Sequence, residues 1–138
     1  MDAVVYDIEI VKAIPDKADL GLQLEGVQYC KGWHDYENMG ISCICAYDFV
    51  EDRYRVFCEG NFHEFFQLVA KRSTLVTFNG VGFDNKVIRF YDKNDQMPIG
   101  GHYDILREIW IVNGFNPDKF YWKTHGGLGL DAMCVYKS

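Results

Sequence analysis

Residues 4–10 read Val4-Val5-Tyr6-Asp7-Ile8-Glu9-Ile10, an apolar run that contains two acids. The flanking residues are typical of a buried strand, and residues i and i+2 of a strand point to the same face. Two like charges close together on an apolar strand are costly, and raised pKa values or a bound cation relieve that cost. The run therefore indicates a divalent metal site at Asp7 and Glu9, unless the strand ends early and leaves both acids on a solvated rim.

A further acid lies in residues 74–90, which read Thr-Leu-Val-Thr-Phe-Asn-Gly-Val-Gly-Phe-Asp-Asn-Lys-Val-Ile-Arg-Phe. The β-rich start and the helical spacing of the later apolar residues predict a strand, a turn and a helix. Gly80 and Gly82 allow the backbone to bend sharply after the strand. Asp84 then falls in the first helical turn, where it either caps the helix or joins the acids of the first strand. Asn79 either contacts a substrate backbone or completes the turn.

The segments Asp7-x-Glu9 and Asn79-Gly-Val-Gly-Phe83-Asp84 together resemble the first two motifs of the DnaQ-like (DEDD) 3′–5′ exonucleases, in the ribonuclease-H-like superfamily. Residues 103–107 and 125–131 look like the segments that follow the second motif in phage and bacterial exonucleases of this kind. The likeness extends over nearly the whole chain. It implies an α/β fold: a mixed sheet of about five strands, the first three antiparallel, with helices packed on it.

The resemblance also implies a chemistry. Asp7, Glu9 and Asp84 would be the catalytic residues and the metal ligands, and their hard oxygen donors suit Mg²⁺ or Mn²⁺ in a two-ion site. The implied reaction is hydrolysis of the terminal phosphodiester at the 3′ end of single-stranded DNA or RNA. Asn79 and Phe83 would contact the substrate.

One part of the family pattern is missing. The fourth acid of these enzymes lies in a third motif, a Tyr or His followed by an Asp on a C-terminal helix. No Tyr-x-x-x-Asp or His-x-x-x-x-Asp pattern occurs near the C-terminus, and no Asp follows Tyr136. We therefore expect residues 1–138 to form a single, C-terminally truncated domain that lacks this helix and has impaired catalysis. Self-association or a partner chain would cover the apolar surface left open.

Two other classes of function remain open. The first is a catalytically inactive domain of the same fold that binds nucleic acid or another protein. The second is a structural or regulatory domain whose acids only cap helices and line a solvated rim.

Other residues have more than one interpretation. Asp104 either caps the next helix or supports the metal pocket. His125 is either an exposed loop residue or a base that orients the attacking water. Tyr121, Trp122 and Lys123 are suited to stacking a base and contacting a phosphate, although core packing of the aromatic rings is an alternative.

Composition limits the class of protein. The chain has 138 residues, of which 49% are hydrophobic and 16% aromatic, enough for one domain with a real core. Its net charge of −6 argues against a broad basic face for nonspecific duplex binding. The apolar runs are too short to cross a membrane, and the N-terminus does not resemble a signal peptide, so we expect no membrane partner and a cytoplasmic location.

The cysteines indicate the redox state of the chain, and the periodicity of the sequence predicts its strands and helices. Five cysteines form an odd set without a signal peptide, which favours reduced thiols. Cys43 and Cys45 alternate along a strand and lack a partner pair for zinc, which favours reduced cysteines in the core. Strands are expected near residues 3–10, 40–48, 53–58 and 74–78. Helices are expected at 61–71, from residue 82, at 104–112 and as a turn at Leu130, after a loop that includes Gly126, Gly127 and Gly129.

Overall fold

A computed structural model describes residues 1–15 and 23–135. Its strands form one sheet and are β1 (Ala3–Ile10), β2 (Ile41–Asp48), β3 (Arg53–Phe57), β4 (Thr74–Thr77) and β5 (His102–Asp104). The spatial order is β3-β2-β1-β4-β5. β1 pairs antiparallel with β2 and β2 antiparallel with β3, whereas β4 pairs in parallel with both β1 and β5. The mixed sheet with its first three strands antiparallel confirms the prediction and is consistent with a ribonuclease-H-like fold.

The helices are α1 (Tyr36–Met39), α2 (Phe62–Val69), α3 (Asp84–Ile88), α4 (Ile105–Val112), α5 (Trp122–His125) and α6 (Leu130–Val135). Of these, α2, α3, α4 and α6 lie where the sequence predicts them. The pattern did not predict α1 or α5, each a single turn. Tyr136 lies outside the described residues, as does part of the polar connection after Ala13. Within the described ranges, no helix has the length and apolarity that crossing a membrane requires.

The hydrophobic core lies between one face of the sheet and helices α2 and α3. Val4, Tyr6 and Ile8 alternate along β1 and are buried on this face. The ring of Tyr6 meets the ring of Phe65 edge to face, with 5.2 Å between centroids. The apolar side of α2 is buried as predicted, through Phe62, Phe65, Phe66 and Val69. Val87 and Ile88 of α3 complete the contact and are fully buried.

The opposite face of the sheet is much more open. Asp7 of β1 pairs with Cys45 of β2, and Cys45 in turn pairs with Val56 of β3. Paired residues share a face, so these three side chains and that of Glu9 lie together on the open side. Val56 is 59% exposed there. The acids of β1 therefore stand on a partly apolar, accessible surface.

The cysteines follow the same division. All five thiols are free. Cys30 is buried, whereas Cys45, Cys58 and Cys134 are exposed, so the core position expected for Cys45 is wrong. On β2 it is Ile44 and Ala46 that point into the core, and the alternation of the strand places Cys43 and Cys45 on the open face.

Candidate functional site

Asp84 is a buried acid at the first position of helix α3, with 5% of its surface exposed. One oxygen of its carboxyl group accepts a hydrogen bond from the backbone N–H of Ile8 at 3.1 Å. The parallel pairing of β1 with β4 ends at Val5 and Val76, so Ile8 lies beyond that ladder. The side chain of Asp84 therefore reaches β1 and supplies a hydrogen-bond acceptor for the N–H of Ile8, which the β4 ladder does not reach.

A tight turn after β4 delivers Asp84 to this position. Asn79 has a φ of 63°, in the left-handed region that asparagine tolerates better than most residues. Its carbonyl oxygen accepts hydrogen bonds from the N–H groups of Gly82 and Phe83, at 3.0 and 2.9 Å. A Cβ on Gly80 would lie 2.4 Å from Oγ1 of Thr77, so the turn requires glycine at this close approach.

Asp7 meets Asp84 from the open face of β1. Asp7 is exposed, and its carboxyl group lies close enough to that of Asp84 to raise the cost of a negative charge there. Burial, and then the negative charge of Asp7, raise the pKa of Asp84 to about 7. The two carboxyl groups thus form a close pair whose second negative charge is costly, and either a shared proton or a bound cation relieves it.

Glu9 does not complete this pair as the resemblance implied. It shares a face of β1 with Asp7 and is exposed. Among the residues that the structure describes, no three His, Cys, Asp or Glu side chains are placed to hold one metal ion together. The structure therefore brings together two of the three expected acids and leaves Glu9 beside them on the rim.

Asp104 holds the turn as well as capping a helix. It is 3% exposed, and its carboxylate accepts the N–H of Leu106 at 3.1 Å, which confirms the expected N-cap of α4. The same carboxylate accepts the N–H groups of Asn79 at 2.8 Å and Val81 at 3.0 Å. Asp104 therefore fixes the turn that presents Asp84, a role that sequence reasoning missed.

A buried hydrogen-bond chain beside the acid pair was also missed. The hydroxyl group of Tyr6 donates to Oδ1 of Asn85 at 2.5 Å, and Nδ2 of Asn85 lies 3.3 Å from Nδ1 of His102. Nε2 of His102 lies 2.9 Å from the carbonyl oxygen of Pro98 and donates to it, so Nδ1 is the acceptor for Asn85. Burial and the charge of Asp84 raise the pKa of Tyr6, which keeps this hydroxyl a donor. The chain ties β1, α3 and β5 together.

The expected substrate contacts in the turn lie beside the acids. The side chain of Asn79 lies over Gly82, where an added Cβ would come within 2.4 Å of its Oδ1. Phe83 is half-buried, and its ring meets those of Trp33 and Tyr36 edge to face, at 6.1 and 6.2 Å between centroids. Trp33 is 65% exposed, so the aromatic group extends from the core to the surface.

A second aromatic surface lies on and next to α5. Tyr121 is 63% exposed, Trp122 is 76% exposed and Lys123 is also exposed. Core packing, the alternative interpretation of these aromatic residues, is therefore wrong. Rings accessible to this extent are suited to stacking on bases.

His125 is buried, contrary to the interpretation of an exposed loop residue. It is 4% exposed and lies among aromatic rings that include Trp110, 4.9 Å away between centroids. Its Nε2 lies 2.9 Å from the carbonyl oxygen of Asn116, and its Nδ1 lies 2.7 Å from Oγ1 of Thr124. Both ring nitrogens have protein partners, and the structure does not bring the ring to the acid pair.

No protein-family model matches the chain, and no curated protein sequence matches it. Among solved structures, the chain is similar to the family B DNA polymerase from the hyperthermophilic archaeon Pyrobaculum calidifontis, with 16% sequence identity and a TM-score of 0.44. The match covers 72% of this chain and 12% of the polymerase chain. A likeness this distant does not identify a function.

Proposed function

We propose that this chain is a metal-dependent 3′–5′ exonuclease-like domain that acts on the terminal phosphodiester of single-stranded DNA or RNA. The observation that carries the proposal is the closeness of Asp7, on the open face of the central strand, to the buried Asp84, whose carboxyl group it affects electrostatically. A fold has little structural use for two adjacent carboxyl groups that raise the cost of each other's charge.

The donor chemistry fits Mg²⁺ or Mn²⁺. These ions use hard oxygen ligands, and Mg²⁺ is commonly held by one or two carboxylates together with waters and substrate phosphates. Asp7 and Asp84 form such a pair, and Glu9 is on the adjacent rim to complete the site when substrate is bound. A divalent ion held there supplies Lewis acidity at the phosphorus and lowers the pKa of a bound water.

The remaining roles follow from the surroundings of the pair. Asp7, the exposed member, faces the incoming strand, and Asp84 is held by its hydrogen bond to Ile8. Phe83 and Asn79 border the acids and would contact the terminal nucleotide. Tyr121 and Trp122 would stack on bases further along the strand, with Lys123 on a phosphate.

A specific observation favours a second candidate function, a catalytically inactive domain that binds a nucleic-acid strand. Within the described part of the chain, Glu9 does not join Asp7 and Asp84 in one three-ligand cluster. The sequence also lacks the pattern of the family's fourth acid. We therefore expect slow turnover by this chain alone, because catalytic groups that act as a unit lose most of their effect when one is missing. A helix carrying that acid, supplied by a longer chain or a partner, would restore the rate.

The open face of the sheet is a candidate surface for binding a partner or a second copy of the chain. Tyr54 is 84% exposed and Tyr103 is 49% exposed on it, in addition to Val56. Apolar surface of this kind is often covered in the working protein. Sedimentation of the purified chain tests self-association: a dimer would support it, and a monomer would exclude it.

Digestion of a 5′-labelled single strand with Mn²⁺ tests the proposed reaction. We expect slow laddering from the 3′ end that Asp84→Asn abolishes. Asp95→Asn is the matched control, because Asp95 is exposed and its left-handed φ of 51° suits asparagine. Strand binding without any Asp84-dependent degradation would support the inactive domain instead. Rapid Asp84-dependent degradation would show that this chain needs no additional acid.

A further inference from the structure

A basic cleft lies beside helix α3, which carries Asp84. It has a volume of about 360 Å³ and is lined by residues of α3, β5, α4 and the loop before β5, including Asn85, Lys86, Arg89, Pro98, His102 and Arg107. Asn85 directly follows Asp84, so the lining of the cleft begins one residue after the buried acid. Nothing in the proposed chemistry uses this cleft.

The charge of the cleft is opposite to that of the protein. Lys86, Arg89 and Arg107 line it and no acid does, although the chain as a whole has a net charge of −6. Three cations line this concavity and no acid is among the lining residues, so the cleft is a local site of positive potential that attracts anions.

Two of these cations are free to bind a ligand. No ion pair between described residues involves Lys86 or Arg89. Lys86 contacts a protein group of another kind, with its Nζ 5.3 Å from the centre of the Tyr36 ring. That contact orients the lysine and leaves its hydrogen-bond donors for a ligand. Both side chains are exposed; Lys86 lies in α3 and Arg89, three residues later, is the C-cap of this helix, which places them on neighbouring positions of its surface.

Arg107 differs because it is held in place. Its Nη2 donates to Asp118 at 2.7 Å and its Nη1 donates to the carbonyl oxygen of Pro117 at 3.1 Å. The wall formed by His102 is also fixed, since both of its ring nitrogens are hydrogen-bonded to Asn85 and Pro98. Arg107 and His102 are therefore held by hydrogen bonds to the protein, whereas Lys86 and Arg89 take part in no ion pair between described residues.

We infer that this cleft binds a phosphate group of the nucleic-acid strand whose end meets Asp7 and Asp84. This inference rests on the proposed function for its ligand, because a strand that places its terminal linkage at Asp84 has further phosphates near the next residues of α3. A guanidinium and an ammonium group are the donors that phosphate oxygens prefer. A free nucleoside monophosphate offers the same chemistry.

The test is an NMR titration of the full chain in EDTA with inorganic phosphate, thymidine monophosphate and an oligothymidylate. The variant Lys86→Gln/Arg89→Gln removes the two unpaired cations and keeps Arg107, whose bonds are structural. Lys93→Gln/Lys119→Gln removes two exposed charges elsewhere and is the matched control. We expect the first variant to bind the oligonucleotide about fivefold more weakly than the control does. The slope of log K against log salt should fall by roughly 0.7 for each lost phosphate contact.

Two results would overturn the inference. Equal affinities and salt slopes in the two double variants would remove the cleft as a phosphate site. Binding of inorganic phosphate and the monophosphate, but not of the strand, through Lys86 and Arg89 would overturn its placement on the strand and assign it to a free nucleotide. Because EDTA removes divalent ions, the titration does not depend on metal binding or strand cleavage, whose failure would appear only in the digestion.

Discussion

The carboxyl group of Asp84 accepts the backbone N–H of Ile8 at 3.1 Å and thereby joins residues 76 positions apart in the chain. The contact brings a buried acid from the start of α3 against β1, next to Asp7. It has a structural effect, since it satisfies the N–H of Ile8, and an electrostatic cost, since it places two carboxyl groups together. Sites that hold two carboxyl groups this close together are candidate functional sites.

Replacing Asp84 by Asn should stabilise the protein in the absence of metal. The raised pKa means that the folded state prefers the protonated acid, so the cost of ionising Asp84 grows as the pH rises from about 4 to about 7 and is complete above that. Asparagine keeps an acceptor for Ile8 without the charge. At pH 8 in EDTA we expect the free energy of unfolding to rise by about 1 to 3 kcal/mol, measured by urea denaturation.

The same comparison at pH 4 is the control for this prediction. There Asp84 is largely protonated in the folded protein, and the difference between wild type and Asp84→Asn should shrink. A variant that is less stable than wild type at pH 8 would show that the acid pair is not repulsive.

Asp104 should be more important for stability than Asp84. Its carboxylate accepts three backbone N–H groups, of Asn79, Val81 and Leu106, and Ala leaves all of them without this acceptor. We expect Asp104→Ala to lower the free energy of unfolding by about 3 kcal/mol. Asp104→Asn retains the Oδ1 contacts and loses the one to Val81, so it should cost less. Equal losses for the two variants would contradict this account of the turn.

The strands and helices that the sequence predicted share a strong local signal. β1 alternates Val4, Tyr6 and Ile8, and α2 repeats Phe62, Phe65 and Phe66 at helical spacing, so the period alone predicts each element. β5 has only His102, Tyr103 and Asp104, too few residues for a period. It exists because it pairs with β4, a contact between distant parts of the chain.

Part of the site could also be predicted, because it depends on the same local sequence signals. The positions of Asp7 and Asp84 in a strand and in a first helical turn predict that they meet where β1 and α3 approach. Whether Glu9 joins that pair depends on how the side chains are placed, and the sequence pattern carries no information on that placement. The burial of His125 depends on Trp110 and on the carbonyl of Asn116, and neither contact has a local signature.

The aromatic surface at α5 gives a prediction for strand binding. Trp122→Ala should weaken binding of a single-stranded oligonucleotide by about 1 to 3 kcal/mol, because each stacked base contributes that amount. Val50→Ala is the control, since Val50 is 54% exposed but lies in the turn between β2 and β3, at the other edge of the sheet. Fluorescence anisotropy with single-stranded and duplex oligonucleotides measures both effects. Tighter duplex binding, or equal losses in the two variants, would count against a single-strand surface at α5.

The buried ion pair between Asp48 and Arg72 should make the stability of the fold depend on pH in acid. Asp48 is fully buried and accepts hydrogen bonds from Nε and Nη2 of Arg72 at 2.8 and 2.7 Å. These bonds lower the pKa of Asp48 to about 2. A depressed pKa stabilises the fold above the unfolded value near 4, and that contribution is lost as the pH falls from about 4 to about 2. The loss should be about 2 kcal/mol.

Urea denaturation between pH 5 and pH 2 measures this effect by comparison with Asp48→Asn. Asparagine cannot titrate but keeps an acceptor for Arg72, so the stability of the variant should fall less steeply over this range. Parallel curves for the two proteins would mean that Asp48 does not contribute to the acid sensitivity.

Isothermal titration calorimetry with Mn²⁺ tests the central claim, that Asp7 and Asp84 together form a divalent-metal site. The wild type and the control Asp95→Asn should show saturable binding with similar heats. Asp7→Asn should lose that binding because it removes one of the two carboxylates that meet. Equal heats in wild type and Asp7→Asn, or no heat in either, would contradict the metal site and the nuclease function proposed from it.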